Sequence, residues 1–120
     1  MLGKSGYDRA TWVIEHEPRY LVGMAAALRQ QASPGDGVIA LTAQLPYLAG
    51  LRPEFPLADR PDEYRLKARE VHARYIVYSE QAAEIWPPLK FLADPKQAPP
   101  GFRLVLRHDP SHTLVYEINP

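Results

Sequence analysis

The sequence predicts an α/β fold: a small three-layer sandwich whose mixed five-stranded sheet combines central parallel strands with a C-terminal antiparallel hairpin. Three observations carry this prediction. Tyr75-Ile76-Val77-Tyr78 is a run of aromatic and β-branched residues entered directly from a helical pattern, as a buried central strand requires. A second helical pattern ends at Pro34-Gly35-Asp36-Gly37 and leads at once into Val38-Ile39-Ala40-Leu41, half of an α/β unit. Finally, Phe102–Arg107 and Thr113–Ile118 each alternate in part, and His108-Asp109-Pro110-Ser111-His112 supplies the turn between them.

Composition agrees with a single domain. The 120 residues are long enough to bury about two-thirds of the unfolded surface. Fourteen basic residues balance fourteen acidic ones, which argues against a nucleic-acid binder. With no cysteine, disulfides and thiolate metal sites are excluded. Thirteen prolines are too many for a helix bundle and imply many short connections. No apolar run reaches the length of a membrane span, and Met1–Gly6 is not followed by the apolar core of a signal peptide. The composition is compatible with a cytosolic protein and with a soluble piece of a larger chain.

In chain order, residues 1–16 read as an N-terminal arm whose Tyr7 and Trp12 dock on the body, and 17–120 as one α/β domain. Glu17-Pro18 opens the first helix, where proline and acidic residues are accepted. Leu21, Met24, Ala25 and Leu28 form its apolar stripe. The glycines at 35 and 37 are not a phosphate loop, because they end a helix and enter a strand, the reverse of the dinucleotide-binding order. Thr42 is placed to cap a short helix over 42–50, and Arg52-Pro53-Glu54 to link it to an edge strand at Phe55-Pro56-Leu57-Ala58. Asp59 is expected to cap the helix that runs to about His72, with Tyr64, Ala68 and Val71 inward. After Glu80 one helical turn is allowed before Trp86-Pro87-Pro88 interrupts it.

This order sets the strands at 38–41 and 74–79 side by side, with 55–58 outside the first and the hairpin beyond the second. If their connections leave in opposite directions, the carboxyl ends of the two central strands form a crevice lined by Thr42, Gln44, Ser79 and Glu80. Glu80 is the best polar candidate, since a carboxylate there could bind sugar or ribose hydroxyls. Its simpler account is a first-turn acid that complements the helix dipole. No catalytic residue is assigned, because none of the four serines sits in a Gly-x-Ser-x-Gly elbow. His108, Asp109 and His112 could form a zinc site only by converging across their turn, and exposed hairpin residues are the plainer account. No metal or cofactor is assigned. Tyr47 with Arg52 is a possible interface pair, weighed against a packing tyrosine and a solvated arginine.

Several of these stretches carry a family resemblance. Ala25-Ala26-Ala27-Leu28-Arg29, Pro34–Ala40, Pro46–Pro53, Ala73–Tyr78, Pro100–Leu106 and Thr113–Ile118 together resemble the C-terminal soluble domain of multi-spanning membrane glycosyltransferases. These are the dolichyl-phosphate-mannose protein mannosyltransferase-like enzymes, which take sugars from polyprenyl-phosphate carriers. The likeness spans roughly residues 20–118 and rests on hydrophobic and turn patterns, with no catalytic signature among them. It implies an extracytoplasmic accessory domain, on the periplasmic or outer face, that supports acceptor or donor engagement. Its implied partners are the membrane portion of the same parent chain and a polyprenyl-phosphate sugar or a glycan or protein acceptor. In that family the catalytic acid lies in a loop between membrane helices, so no catalytic residue is carried over. The alternative is a free-standing, cytoplasmic α/β binding module or small enzyme that uses the crevice.

Overall fold

The computed structural model describes residues 19–56 and 58–119. The expected N-terminal arm at 1–16, with Tyr7 and Trp12, and the Glu17-Pro18 helix start lie outside the described residues. The elements follow in the order α1 (Arg19–Gln31), β1 (Gly37–Ile39), α2 (Gln44–Leu48), β2 (Arg52–Glu54), α3 (Pro61–Val71), β3 (Ala73–Ser79), α4 (Glu80–Ile85), β4 (Phe102–His108) and β5 (Thr113–Ile118), with two 3-10 helices, Pro87–Leu92 and Pro95–Gln97, ahead of β4.

The sheet order is β2-β1-β3-β5-β4. β1 pairs in parallel with both β2 and β3, whereas β5 pairs antiparallel with β3 and β4. This is the mixed five-stranded sheet that the pattern predicts, and the order agrees with the predicted placement of the hairpin beyond β3. Helices cover both faces. On one side Met24, Ala25 and Leu28 of α1 and Leu45 of α2 pack on Val38, Tyr75 and Val115. On the other, Tyr64 and Ala68 of α3, Ala82 and Ala83 of α4, and Leu89 and Leu92 pack on Ile39, Ile76, Leu114 and Tyr116. β3 contributes to both layers because its side chains alternate, and Tyr75 and Ile76 are each fully buried.

Two expected boundaries move. The edge strand forms at Arg52–Glu54, the stretch expected to be a link, and Phe55 to Ala58 carry no described strand. The cause is local. Arg52 donates from Nη1 to Gly35 O at 2.8 Å and also to Val71 O, which ties this segment to the two turns entering β1 and β3. The proline expected in that edge strand is Pro53 rather than Pro56. β1 is also displaced, to Gly37–Ile39, though Ala40 N still donates to Glu54 O at 2.8 Å.

Two caps are also different. Asp59 does not cap α3. Arg60 occupies that position in extended conformation, and Glu63 reaches back so that its Oε1 accepts from the amides of Asp59 at 3.0 Å and Arg60 at 3.2 Å. Thr42 does not cap α2 either, since Ala43 precedes it without any side-chain cap. At the other end of α3, His72 takes the left-handed conformation at φ 55° and turns the chain into β3, a position usually given to glycine. β3 then gains one extra residue against β1, because Gly37 faces Ala73 while Val38 faces Tyr75. Arg74 is that residue.

Candidate functional site

β1 exits through α2 toward β2 on one side of the sheet, and β3 exits through α4 toward the hairpin on the other. The two neighbouring parallel strands therefore diverge at their carboxyl ends, and a crevice opens there, as in other open α/β sheets. Its volume is about 190 Å³. Among the four site residues predicted from sequence, Thr42, Gln44 and Ser79 line it. Glu80 does not.

Ser79 ends β3 in extended conformation, and its Oγ accepts from Ala82 N at 3.0 Å, which makes it the N-cap of α4. Glu80 follows in the first turn, where its charge complements the helix dipole. Its side chain is 69% exposed and stands 3.7 Å from His112 Nδ1. Beneath it, burial raises the Tyr78 phenol, with the carboxylates of Glu80 and Glu84 adding to the effect.

The remaining wall comes from segments that sequence spacing did not bring together. Tyr20 and Leu21 arrive from α1, Gln81 and Ile85 from α4, and Ser111 and Thr113 from the hairpin turn and β5. Register explains the hairpin's contribution: Thr113 faces Ser79 on β3 and His108 on β4, so all three share one end of the sheet. Only the antiparallel register of β3 with β5 reveals this, and no local motif encodes it. Behind the wall, His108 stacks on Tyr20 with ring centroids 4.4 Å apart and planes 10° from parallel. His108 Nδ1 lies 2.7 Å from Ser111 Oγ, which in turn lies 2.8 Å from Thr113 Oγ1.

The crevice thus presents seven neutral hydrogen-bonding side chains (Tyr20, Thr42, Gln44, Ser79, Gln81, Ser111 and Thr113) beside apolar ones, and among the described residues no lysine, arginine or carboxylate lines it. The conceivable zinc trio stays apart. His108 is engaged with Tyr20 and Ser111, Asp109 pairs with Arg107 at 2.8 Å, and His112 Nε2 lies 3.3 Å from Ala93 O. No metal-binding cluster exists among the described residues. The Tyr47 and Arg52 pair also separates by role: Tyr47 is 79% exposed rather than packed, and Arg52 bonds Glu54 and three backbone carbonyls rather than water alone.

At the opposite end of the sheet a wider hollow of about 520 Å³ lies over Arg74, Arg103 and Glu117. Glu117 accepts from Arg103 and, at 2.8 Å, from Arg74 Nε. Those hydrogen bonds, Arg103's foremost, hold its carboxyl below the usual carboxylate range. Arg74 also pairs with Asp36 at 3.5 Å, so the two arginines are matched by two carboxylates.

Searches among family models, curated proteins and solved structures found no match to this chain. Among the described residues, no helix is long and apolar enough to cross a membrane.

Proposed function

We propose that this chain is the extracytoplasmic accessory domain of a membrane-embedded glycosyltransferase, supporting engagement of donor or acceptor without performing the transfer itself. The carbohydrate portion of that ligand sits in the crevice between β1 and β3. One observation supports this reading above all: among the described residues, the wall mixes neutral hydroxyl and amide groups with apolar side chains and carries no formal charge. A pyranose has that same mixture of hydroxyls and apolar ring faces, and its neutral hydroxyls pair with such groups at no cost of burying a charge. The volume suits one sugar ring rather than an oligosaccharide. The partners in this reading are the membrane portion of the same parent chain and a polyprenyl-phosphate sugar or a glycan or protein acceptor.

The test is a titration of the 15N-labelled domain with methyl glycosides of glucose, galactose, mannose and N-acetylglucosamine. Amide shifts concentrated at Thr42, Gln44, Ser79 and Gln81 are expected, and Gln44→Ala should weaken them. Glu80→Ala should leave them nearly intact, because Glu80 stands outside the wall. If no glycoside shifts these amides, the carbohydrate reading is wrong. The membrane context is tested separately: a coding region upstream of residue 1 without several hydrophobic spans would leave a free-standing binding module in its place.

A further inference from the structure

The polar end of the crevice contains a directional chain of hydrogen bonds. Ser111 N donates to His108 Nδ1 at 3.3 Å. A nitrogen that accepts a backbone amide carries no proton of its own, so the neutral ring holds its hydrogen on Nε2. Ser111 Oγ also lies 3.3 Å from His108 O, but the much shorter 2.7 Å contact with the unprotonated Nδ1 takes the serine hydroxyl's hydrogen. A serine has one hydroxyl hydrogen. With that hydrogen turned to His108, the 2.8 Å contact between Ser111 Oγ and Thr113 Oγ1 must be donated by Thr113. Thr113 is left with oxygen lone pairs and no hydrogen to offer. It is also the buried polar residue of this wall, 4% exposed, where an unmatched partner is costly.

We infer that Thr113 is a specificity-determining acceptor of the crevice, its polarity set by His108 through Ser111, and that it selects a ligand hydroxyl able to donate at that position. This rests on the carbohydrate reading proposed above. It adds a direction to a site whose polar groups outside this chain, the hydroxyls and primary amides of Thr42, Gln44, Ser79 and Gln81, can both give and accept hydrogen bonds. A fluorine in place of the matching sugar hydroxyl keeps the size and can accept, but it cannot donate, and it would face Thr113 with two acceptors and no hydrogen between them.

Two measurements test this. Long-range 1H–15N correlation on the free protein, above the titration midpoint of His108 observed in the same series, should show the Nε2–H tautomer. The Nδ1–H form, or an even mixture, overturns the inference whether or not a sugar binds. Monodeoxyfluoro analogues of whichever methyl glycoside binds should include one position at which affinity falls about tenfold. Thr113→Val should erase that discrimination, and Thr113→Ser should keep it, with the dispersion of the amide spectrum confirming the fold of each variant. Equal binding of all fluoro analogues, or discrimination that survives in Thr113→Val, overturns it. Absence of binding by every glycoside overturns the carbohydrate reading and the selectivity with it, whereas the wrong tautomer removes the selectivity alone.

Discussion

Removing a single oxygen from Tyr116 should measurably weaken this domain. Tyr116 lies in the middle of β5 with no exposed surface, and its hydroxyl donates to Leu92 O at 2.7 Å, closing the end of the Pro87–Leu92 3-10 helix onto the sheet. Tyr116→Phe keeps the ring and its packing but strands that carbonyl, at a cost of about 1–3 kcal/mol. With a urea dependence of about 1–3 kcal/mol per molar, the midpoint should fall by roughly 1 M at unchanged slope. Equilibrium unfolding followed by far-ultraviolet circular dichroism measures both. The alkaline limb gives an independent check. Burial pushes the Tyr116 phenol up to about 12, so the native state holds its proton where the unfolded chain, ionising near 10, has released it. That contribution is fully present below about pH 10 and is lost as pH rises through about 12, to a limit of roughly 2–3 kcal/mol. Phenylalanine has no proton to lose, so the gap between variant and parent should narrow above pH 10. A variant as stable as the parent at pH 7, or a gap that widens in alkali, would refute this account of the Tyr116–Leu92 bond.

Further outcomes are expected elsewhere. Gly37→Ala should destabilise by more than 1 kcal/mol, since an added Cβ would lie 2.7 Å from Arg52 Nη2 and 3.0 Å from the Ala73 backbone, an overpacked contact that thermal unfolding would register. Ser79→Ala should cost about 1 kcal/mol through the lost cap of α4, in the same assay. Glu117 is held below the usual carboxylate range, so its ion pairs stabilise above the unfolded-state titration near pH 4 and are lost as pH falls through its lower native value. Glu117→Gln should therefore flatten the acid limb of a stability profile below about pH 5, and an unchanged limb would assign that limb to other carboxylates.

How much of this was legible in the sequence depended on the range of the information. The central strand at 75–78, the helix stripe through Met24 and Leu28, and the closing hairpin are written in local patterns, and the sheet order followed from connection rules. The edge strand was misplaced because what holds it is a set of long-range bonds from Arg52 to carbonyls 17 and 19 residues away, which no propensity reports. Capping failed for a different reason: Asp59 has the right chemistry, but Arg60 takes the N-cap position and Glu63 reaches back to the amides of Asp59 and Arg60 instead. The candidate site divided in the same way. Thr42, Gln44 and Ser79 were readable as strand ends at a switch point, and Glu80, one step past its strand, takes the first-turn helix position that its simpler account gave it. Tyr20, Ser111 and Thr113 depended on register and docking, so no spacing in the sequence could have gathered them.

The identity of the outermost strands has a consequence for how copies of this protein meet in solution. Within β2, Arg52 and Glu54 turn their backbone groups toward β1, through Arg52 N to Asp36 O and Ala40 N to Glu54 O. Pro53, between them, therefore faces outward, where an arriving strand would seek an amide hydrogen that proline does not have. At the far border, β4 is interrupted by a register shift between Leu104 and Leu106 and carries the exposed Arg103 and Arg107. A strand from another molecule would meet a missing donor on one side and a bend flanked by positive charge on the other. The sheet is closed to growth at both ends without being a barrel, and concentrated solutions should resist fibrillar assembly while the fold persists.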